Sequence, residues 1–172
     1  MGRSESDSLS AAQIFYPCMQ AADVFHLEAD ITQLGMDQRK VNVLAREVGP
    51  QLGFWKPLVV SHHMLMGLQQ PTSDKEGADK EIEMKMSKSN PDSAIFMTDE
   101  KEEIFRKIKD AYCPQGEVED NPVLEYCKYI IFEKFDELEI KRPEKFGGDV
   151  TFHSYEELIK DYEIGLHPLD LK

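Results

Sequence analysis

The sequence predicts an α/β fold of the doubly wound kind that leads into a mainly helical remainder. Three observations carry this expectation. Amphipathic and apolar segments alternate between Ser10 and Ser61 at the lengths of helices and strands. The strand segments are short, and Pro57-Leu-Val-Val-Ser61 is apolar through its middle, as strands of parallel sheets are. From Asp99 onward, helix-start signals recur ahead of apolar runs.

Each element has its own signal. Ser10 and Gln13 have capping-box spacing, so a helix starts there with Ser10 as N-cap. Ile14, Cys18, Ala21, Ala22 and Phe25 follow at helical spacing and carry the helix to about His26. Pro17 inside it should kink the helix or mark a late start. Ala29 to Leu34 reads as a strand closed by Gly35; Asp30 within it is a core-edge residue or a ribose contact. Val41, Leu44, Ala45 and Val48 form a second apolar stripe, stopped by Gly49-Pro50. Gln69 to Met84 is polar and charged and reads as a surface loop, and MKMSKSNPDS after it has no periodicity. Asp99 and Glu102 have capping spacing, with Ile104, Phe105 and Ile108 as the apolar face. Acids at that helix start and Arg106, Lys107 and Lys109 at its end match the macrodipole. Asn121-Pro122 opens a helix reaching about Phe132. Residues 139–152 read as a hairpin turned by Gly147-Gly148. Ser154 and Glu157 open a last capped helix, to about Tyr162.

At 172 residues the chain suits one domain or parts of two. Hydrophobic content of 41% and charged content of 31% fit a soluble globular protein rather than a disordered one. No run of about 18 uncharged apolar residues exists, which excludes a helical membrane span. MGRSESDSLS has no apolar core of a secretory signal. Cys18, Cys113 and Cys127 share no C-x-x-C spacing and read as small buried hydrophobes in a reducing cytoplasm. The net charge of −13 argues against a protein that coats nucleic acid non-specifically, though a local basic site is compatible with it.

KMSKS, Lys85 to Ser89, is the most specific feature. Two ammonium groups can neutralise charge building on a triphosphate, and the hydroxyls of Ser87 and Ser89 add hydrogen bonds. A solvated basic turn is the bland alternative. No G-x-x-x-x-G-K-[ST] phosphate cradle is present. Tyr16, Gln20 and Asp23 lie at spacings that share one helix face. Gln20 can donate and accept, and ionised Asp23 can accept from a phenolic hydroxyl. The competing reading is a solvated polar face. Gly35-Met-Asp-Gln38 falls between a strand end and a helix start, where open α/β sheets bind ligands. It is either a close backbone approach with Gln38 in the crevice or a routine turn capped by Asp37. His62-His63 lacks partners at ligand spacing, so a role near adenine or ribose is preferred to a metal.

Together these pieces resemble tyrosyl-tRNA synthetases of the archaeal and eukaryotic cytosolic type, class I enzymes. The matching text is YPCMQAADVF (Tyr16–Phe25), ADITQLGMDQRKVNVLARE (Ala29–Glu47), SHHMLMGL (Ser61–Leu68), KMSKS (Lys85–Ser89), KIKDAYCP (Lys107–Pro114), RPEKFGGD (Arg142–Asp149) and HPLDLK (His167–Lys172). The resemblance implies ATP-dependent activation of L-tyrosine to tyrosyl-adenylate, then transfer to tRNA(Tyr). It implies that Tyr16 and Gln20 contact tyrosine, that Asp23 accepts its phenolic hydroxyl and that Gln38 holds its amino end. It further implies that Lys85 and Lys88 stabilise the pyrophosphate leaving group, with Gly35, His62, Met86, Ser87 and Ser89 around ATP. The chemistry is attack of the tyrosine carboxylate on the α-phosphorus, which needs positioning and charge neutralisation rather than a side-chain nucleophile. Mg2+ accompanies ATP, and no structural metal is expected.

The resemblance further implies an internal piece of the enzyme. Residues 1–98 would be the second half of a Rossmann-like catalytic domain with the KMSKS loop, and 99–172 the start of an α-helical anticodon-binding domain. The family's HIGH-type signature is not in this sequence. A homodimer, a cytoplasmic location and no membrane association are expected. The tryptophanyl enzyme, which shares G-x-D-Q and KMSKS, and a non-catalytic paralogue that binds without turnover are the rivals. Asp74 to Glu83 extends the loop before KMSKS with no assignable role.

Overall fold

The computed structural model describes residues 9–70 and 84–172. The acidic stretch Asp74 to Glu83 and most of the expected surface loop lie outside the described residues. The chain forms two compact units, Met1–Met64 and Leu65–Lys172.

In the first unit the order is α1 (Ala11–His26), β1 (Ile31–Gly35), α2 (Arg39–Val48) and β2 (Leu58–His62). The Ser10 capping box forms as the spacing predicts, with Ser10 Oγ accepting from Gln13 N–H and the Gln13 side chain returning to the Ser10 N–H. Pro17 does not delay the helix, which starts at Ala11 and runs past it. The buried face of α1 is Pro17, Ala21 and Val24, while Ile14 is exposed and so, against the expectation of burial, is Cys18. Ala21 and Val24 pack on Val41 and Ala45 of α2, with Phe25, Ala29 and Leu44 at the margin. Phe25 also stacks on Phe54 with ring centroids 4.7 Å apart and meets the Trp55 edge at 5.4 Å. β1 and β2 pair in parallel from Ile31↔Leu58 to Gly35↔His62. This is the α/β alternation the sequence predicts.

The second unit begins with an irregular stretch, residues 65–69, that bridges at Met66, and the KMSKS segment. It continues through α3 (Lys101–Asp110), α4 (Pro122–Tyr126), a π-helical turn (Cys127–Ile131), α5 (Phe132–Lys134), β3 (Leu138–Ile140), β4 (Val150–Phe152), α6 (Tyr155–Ile164) and α7 (Pro168–Leu171). Asn121 caps α4 through its Oδ1 and Leu124 N–H, with Pro122 at the first helical position, as expected. The helix beyond it is interrupted by the π turn. β3 and β4 form the expected antiparallel hairpin, and their connection includes a 3-10 turn at Glu144–Phe146 before Gly147 and Gly148 turn at positive φ. The core holds Leu124, Cys127, Ile140, Phe152, Leu158, Tyr162 and Leu166. Each large apolar side chain buried here contributes about 1.5–3 kcal/mol relative to exposure. Tyr162 is fully buried, and its hydroxyl donates to Pro114 O at 2.6 Å and accepts from Asn121 Nδ2 at 3.3 Å.

The start of α3 departs from expectation. Its N-cap is Glu100 with no side-chain cap, because the Asp99 carboxylate is engaged elsewhere. It accepts from the Phe96 N–H at 2.8 Å and from Lys107 Nζ at 2.6 Å. Lys107, one of the cations at the helix end, is buried and also donates to Ala94 O at 2.9 Å. Phe105, assigned to the apolar face, is 63% exposed.

Candidate functional site

The carboxyl end of the parallel pair is the natural ligand edge of an α/β sheet. Gly35 and His62, both singled out from the sequence, are register partners at that edge. Gly35 is buried, and a Cβ there would lie 2.1 Å from Met64 Sδ and 2.7 Å from Asp37 Oδ1. Any larger residue here would have to push the Met64 and Asp37 side chains aside. His62 Nδ1 sits 3.0 Å from the His63 carbonyl.

A 3-10 turn, Met36–Gln38, follows β1 and delivers Gln38. Gln20 of α1 donates through Nε2 to Gln38 Oε1 at 3.0 Å, and Gln38 Nε2 donates to Asp37 Oδ2 at 2.9 Å. Residues 18 positions apart thus form one half-buried amide pair. Asp37 does not cap α2, since neither the 3-10 turn nor α2 has a side-chain cap. Tyr16 and Asp23 lie on the same face of α1 as Gln20, at helical spacing, and both are exposed. Asp30 is exposed just before β1, and its carbonyl accepts from the Leu58 N–H.

Sequence reasoning missed Asn42. It lies one turn beyond Gln38 on α2, is 2% exposed, and its Nδ2 has no hydrogen-bond partner among the described residues. A buried orphan donor costs about 1–3 kcal/mol, so such a group usually serves a purpose. The only available signal was a polar residue inside the apolar stripe of α2. A second feature of this unit is an apolar cleft of about 550 Å³ between α1 and α2, lined by Cys18, Ala22, Phe25, Leu44 and Phe54 among others.

In the second unit, KMSKS forms a loop pinned at both ends to the irregular stretch at residues 65–69. Met66 and Lys85 form an antiparallel bridge, and the Gly67 N–H donates to Met84 O at 2.6 Å. The Leu68 N–H donates to Ser93 O at 3.0 Å. Gln69 and Asn90 exchange two side-chain amide bonds. Within the loop, Ser87 and Ser89 share a hydroxyl contact of 2.9 Å, and buried Ser93 accepts from the Ser87 N–H at 2.9 Å. Lys88 and Ser89 are exposed, Met86 is exposed at its margin, and Lys85 and Ser87 are half-buried. Downstream, Arg106 of α3 bridges Asp92 and Glu103 and reaches Asp110 at 3.4 Å. Glu103 is held below the usual carboxylate range chiefly by its hydrogen bond from Arg106.

No three His, Cys, Asp or Glu side chains gather as a metal site among the described residues. No helix among them is long and apolar enough to cross a membrane.

The chain as a whole is similar to known aminoacyl-tRNA synthetases. Tyrosine–tRNA ligase 1, cytoplasmic, of Arabidopsis thaliana is 59% identical over 174 residues, spanning all of this chain and 42% of that protein. Tyrosine–tRNA ligase of Thermococcus sibiricus is 47% identical over 188 residues, again across the whole chain and 50% of that protein. The crystal structure of tyrosyl-tRNA synthetase from Pyrococcus horikoshii, complexed with L-tyrosine, superposes with a TM-score of 0.83 at 46% identity, covering 99% of this chain and 50% of that one. Tryptophanyl-tRNA synthetase from Aeropyrum pernix shares the fold at 24% identity, with a TM-score of 0.51 over 70% of this chain. The chain spans half or less of the length of these tyrosine-type relatives. The family model for class I tRNA synthetases (W and Y) matches residues 1–172, and the chain belongs to that family.

Proposed function

We propose that the chain serves the activation of L-tyrosine by ATP and its transfer to tRNA(Tyr). The observation that carries this reading is the Gln20–Gln38 amide pair beside the carboxyl edge of β1 and β2. It supports a small polar ligand held at the strand ends, and the likeness to tyrosine-type relatives favours tyrosine as that ligand. Gln20 and Tyr16 contact the amino acid, Gln38 receives its ammonium, and Asp23 accepts from its phenol. A carboxylate left unpaired by phenylalanine would reject it, which is the handicap of any site built for a hydroxyl. The tryptophan-type neighbour speaks to the fold alone, so tyrosine is the preferred substrate over tryptophan.

The first step is displacement at phosphorus. The tyrosine carboxylate oxygen forms a bond to the α-phosphorus, and the bond to the bridging oxygen breaks to release pyrophosphate. Lys85 and Lys88 neutralise charge on that leaving group, aided by Ser87 and Ser89. Gly35, His62 and Met86 line ATP. Mg2+ bound to the triphosphate would add to the charge neutralisation that Lys85 and Lys88 supply. In this reading residues 1–98 are catalytic and 99–172 begin an anticodon-binding domain. The protein works as a cytoplasmic homodimer without membrane association.

Isothermal titration of the chain with L-tyrosine, L-tryptophan and L-phenylalanine tests the substrate assignment. Saturable heat with tyrosine alone is expected. Heat with tryptophan and none with tyrosine would reject it.

A further inference from the structure

Both backbone polar groups of Met66 are taken by adjacent side chains of α4. The Met66 N–H donates to Glu125 Oε2, and the Met66 carbonyl accepts from Tyr126 Oη at 3.3 Å. Both side chains are half-buried. Met66 is also the bridge partner of Lys85, the first lysine of KMSKS. The next two residues, Gly67 and Leu68, bind the two ends of the same loop through Met84 and Ser93. The stretch Met66 to Leu68 is therefore the rail on which the loop rests, and α4 holds the rail. The Tyr112 N–H adds a bond to Leu68 O at 2.7 Å.

The two grips are suited to the task. A carboxylate accepting a backbone N–H is charge-assisted and roughly twice as strong as a neutral bond. Burial pushes the Tyr126 phenol up to about 12, so it remains a donor across the working range.

We propose that Glu125 and Tyr126 are positioning residues for the KMSKS loop, fixing Met66 and through it the backbone of Lys85. This rests on the reading that Lys85 acts on the phosphate chain. A cation that neutralises developing charge works only in place, and a misplacement of about 1 Å costs on the order of a hundredfold in rate. Neither residue touches substrate in this account.

The test compares Glu125→Ala, Glu125→Gln and Tyr126→Phe in the full chain. One readout is amide hydrogen exchange over residues 84–93, with the β3–β4 hairpin as an internal reference. The other is kcat and KM in tyrosine-dependent ATP–pyrophosphate exchange. Glu125→Ala is expected to speed amide exchange over residues 84–93 about tenfold while the hairpin is unchanged. It should lower kcat by about tenfold and leave the tyrosine KM within about twofold. Glu125→Gln keeps an acceptor oxygen and should recover most of both effects, with Tyr126→Phe intermediate. Unchanged protection over residues 84–93 in Glu125→Ala, or equal acceleration of loop and hairpin, would overturn the proposal. Loosening confined to residues 84–93 in a protein without tyrosine-dependent exchange would uphold the positioning and reject the functional reading instead.

Discussion

Replacing Gly67 by alanine should disturb the KMSKS loop from its root. Gly67 is buried, and a Cβ there would meet three backbone carbonyl oxygens: Met84 at 3.2 Å, Ser93 at 3.2 Å and Lys85 at 3.3 Å. All three belong to the segment that leaves and re-enters the loop. Backbone atoms cannot rotate away as a side-chain tip can, so both ends of the loop must move outward by a few tenths of an ångström. Overpacking of this kind costs about 1–3 kcal/mol. Loss of glycine's unfolded-state freedom returns about 0.4–1 kcal/mol. Net destabilisation of about 0–2.6 kcal/mol, centred near 1 kcal/mol, follows from these two terms. The kinetic effect comes from displacing Lys85, and a shift of a few tenths of an ångström is expected to lower kcat by several-fold to about tenfold. Urea titration gives the stability change, and tyrosine-dependent pyrophosphate exchange gives kcat and KM. The expected signature is reduced kcat with unchanged tyrosine KM, and Gly67→Val should exceed Gly67→Ala in both measures. A folded Gly67→Ala protein with wild-type kcat would refute the idea that this root sets the loop's position.

Further predictions follow from the same coordinates. Gln20→Ala and Gln38→Ala should each weaken tyrosine binding several-fold in calorimetry, and the double variant should lose less than the sum because the two amides share a bond; strict additivity would contradict the pairing. Asn42→Leu should raise stability in urea by about 1 kcal/mol or more, since it removes a buried orphan donor, and a loss of stability would mean Asn42 Nδ2 is satisfied in solution. Asp99 and Glu103 are held below the usual carboxylate range, Asp99 first by its bond from Lys107. The unfolded chain therefore binds more protons on the acid limb, and stability should fall as pH drops below about 4, with a shallower fall in Asp99→Asn. An unaltered slope in Asp99→Asn would count against that ion pair.

The legible parts of the fold were those that local chemistry decides. Ser10 with Gln13 and Asn121 with Pro122 fix helix starts through bonds between near neighbours, and both formed as spacing predicts. The apolar run at Leu58 to Ser61 marked a strand that pairs in parallel. What stayed hidden depends on distant partners. Asp99 has capping spacing, yet its carboxylate turns to Lys107 and the Phe96 N–H, and no local pattern announces a lysine folded inward. Ile14, Cys18 and Phe105 fit apolar stripes but face out, because periodicity gives a face without saying which neighbour covers it. The site divides in the same way. Gly35, Gln38 and KMSKS could be nominated from strand ends and residue type, and Gly35 does stand at the carboxyl end of β1. The Gln20–Gln38 bond, the orphan on Asn42 and the grip of Glu125 on Met66 are tertiary facts.

The central claim is that these residues serve tyrosine activation. Its most direct test is ATP–pyrophosphate exchange by the purified chain with tyrosine, tryptophan and phenylalanine in parallel, repeated with Lys85→Ala and Lys88→Ala. The account predicts exchange with tyrosine alone and a loss of about 10²-fold or more in kcat in either lysine variant, with tyrosine KM unchanged. Exchange with tryptophan in place of tyrosine, or full exchange in both lysine variants, would contradict it.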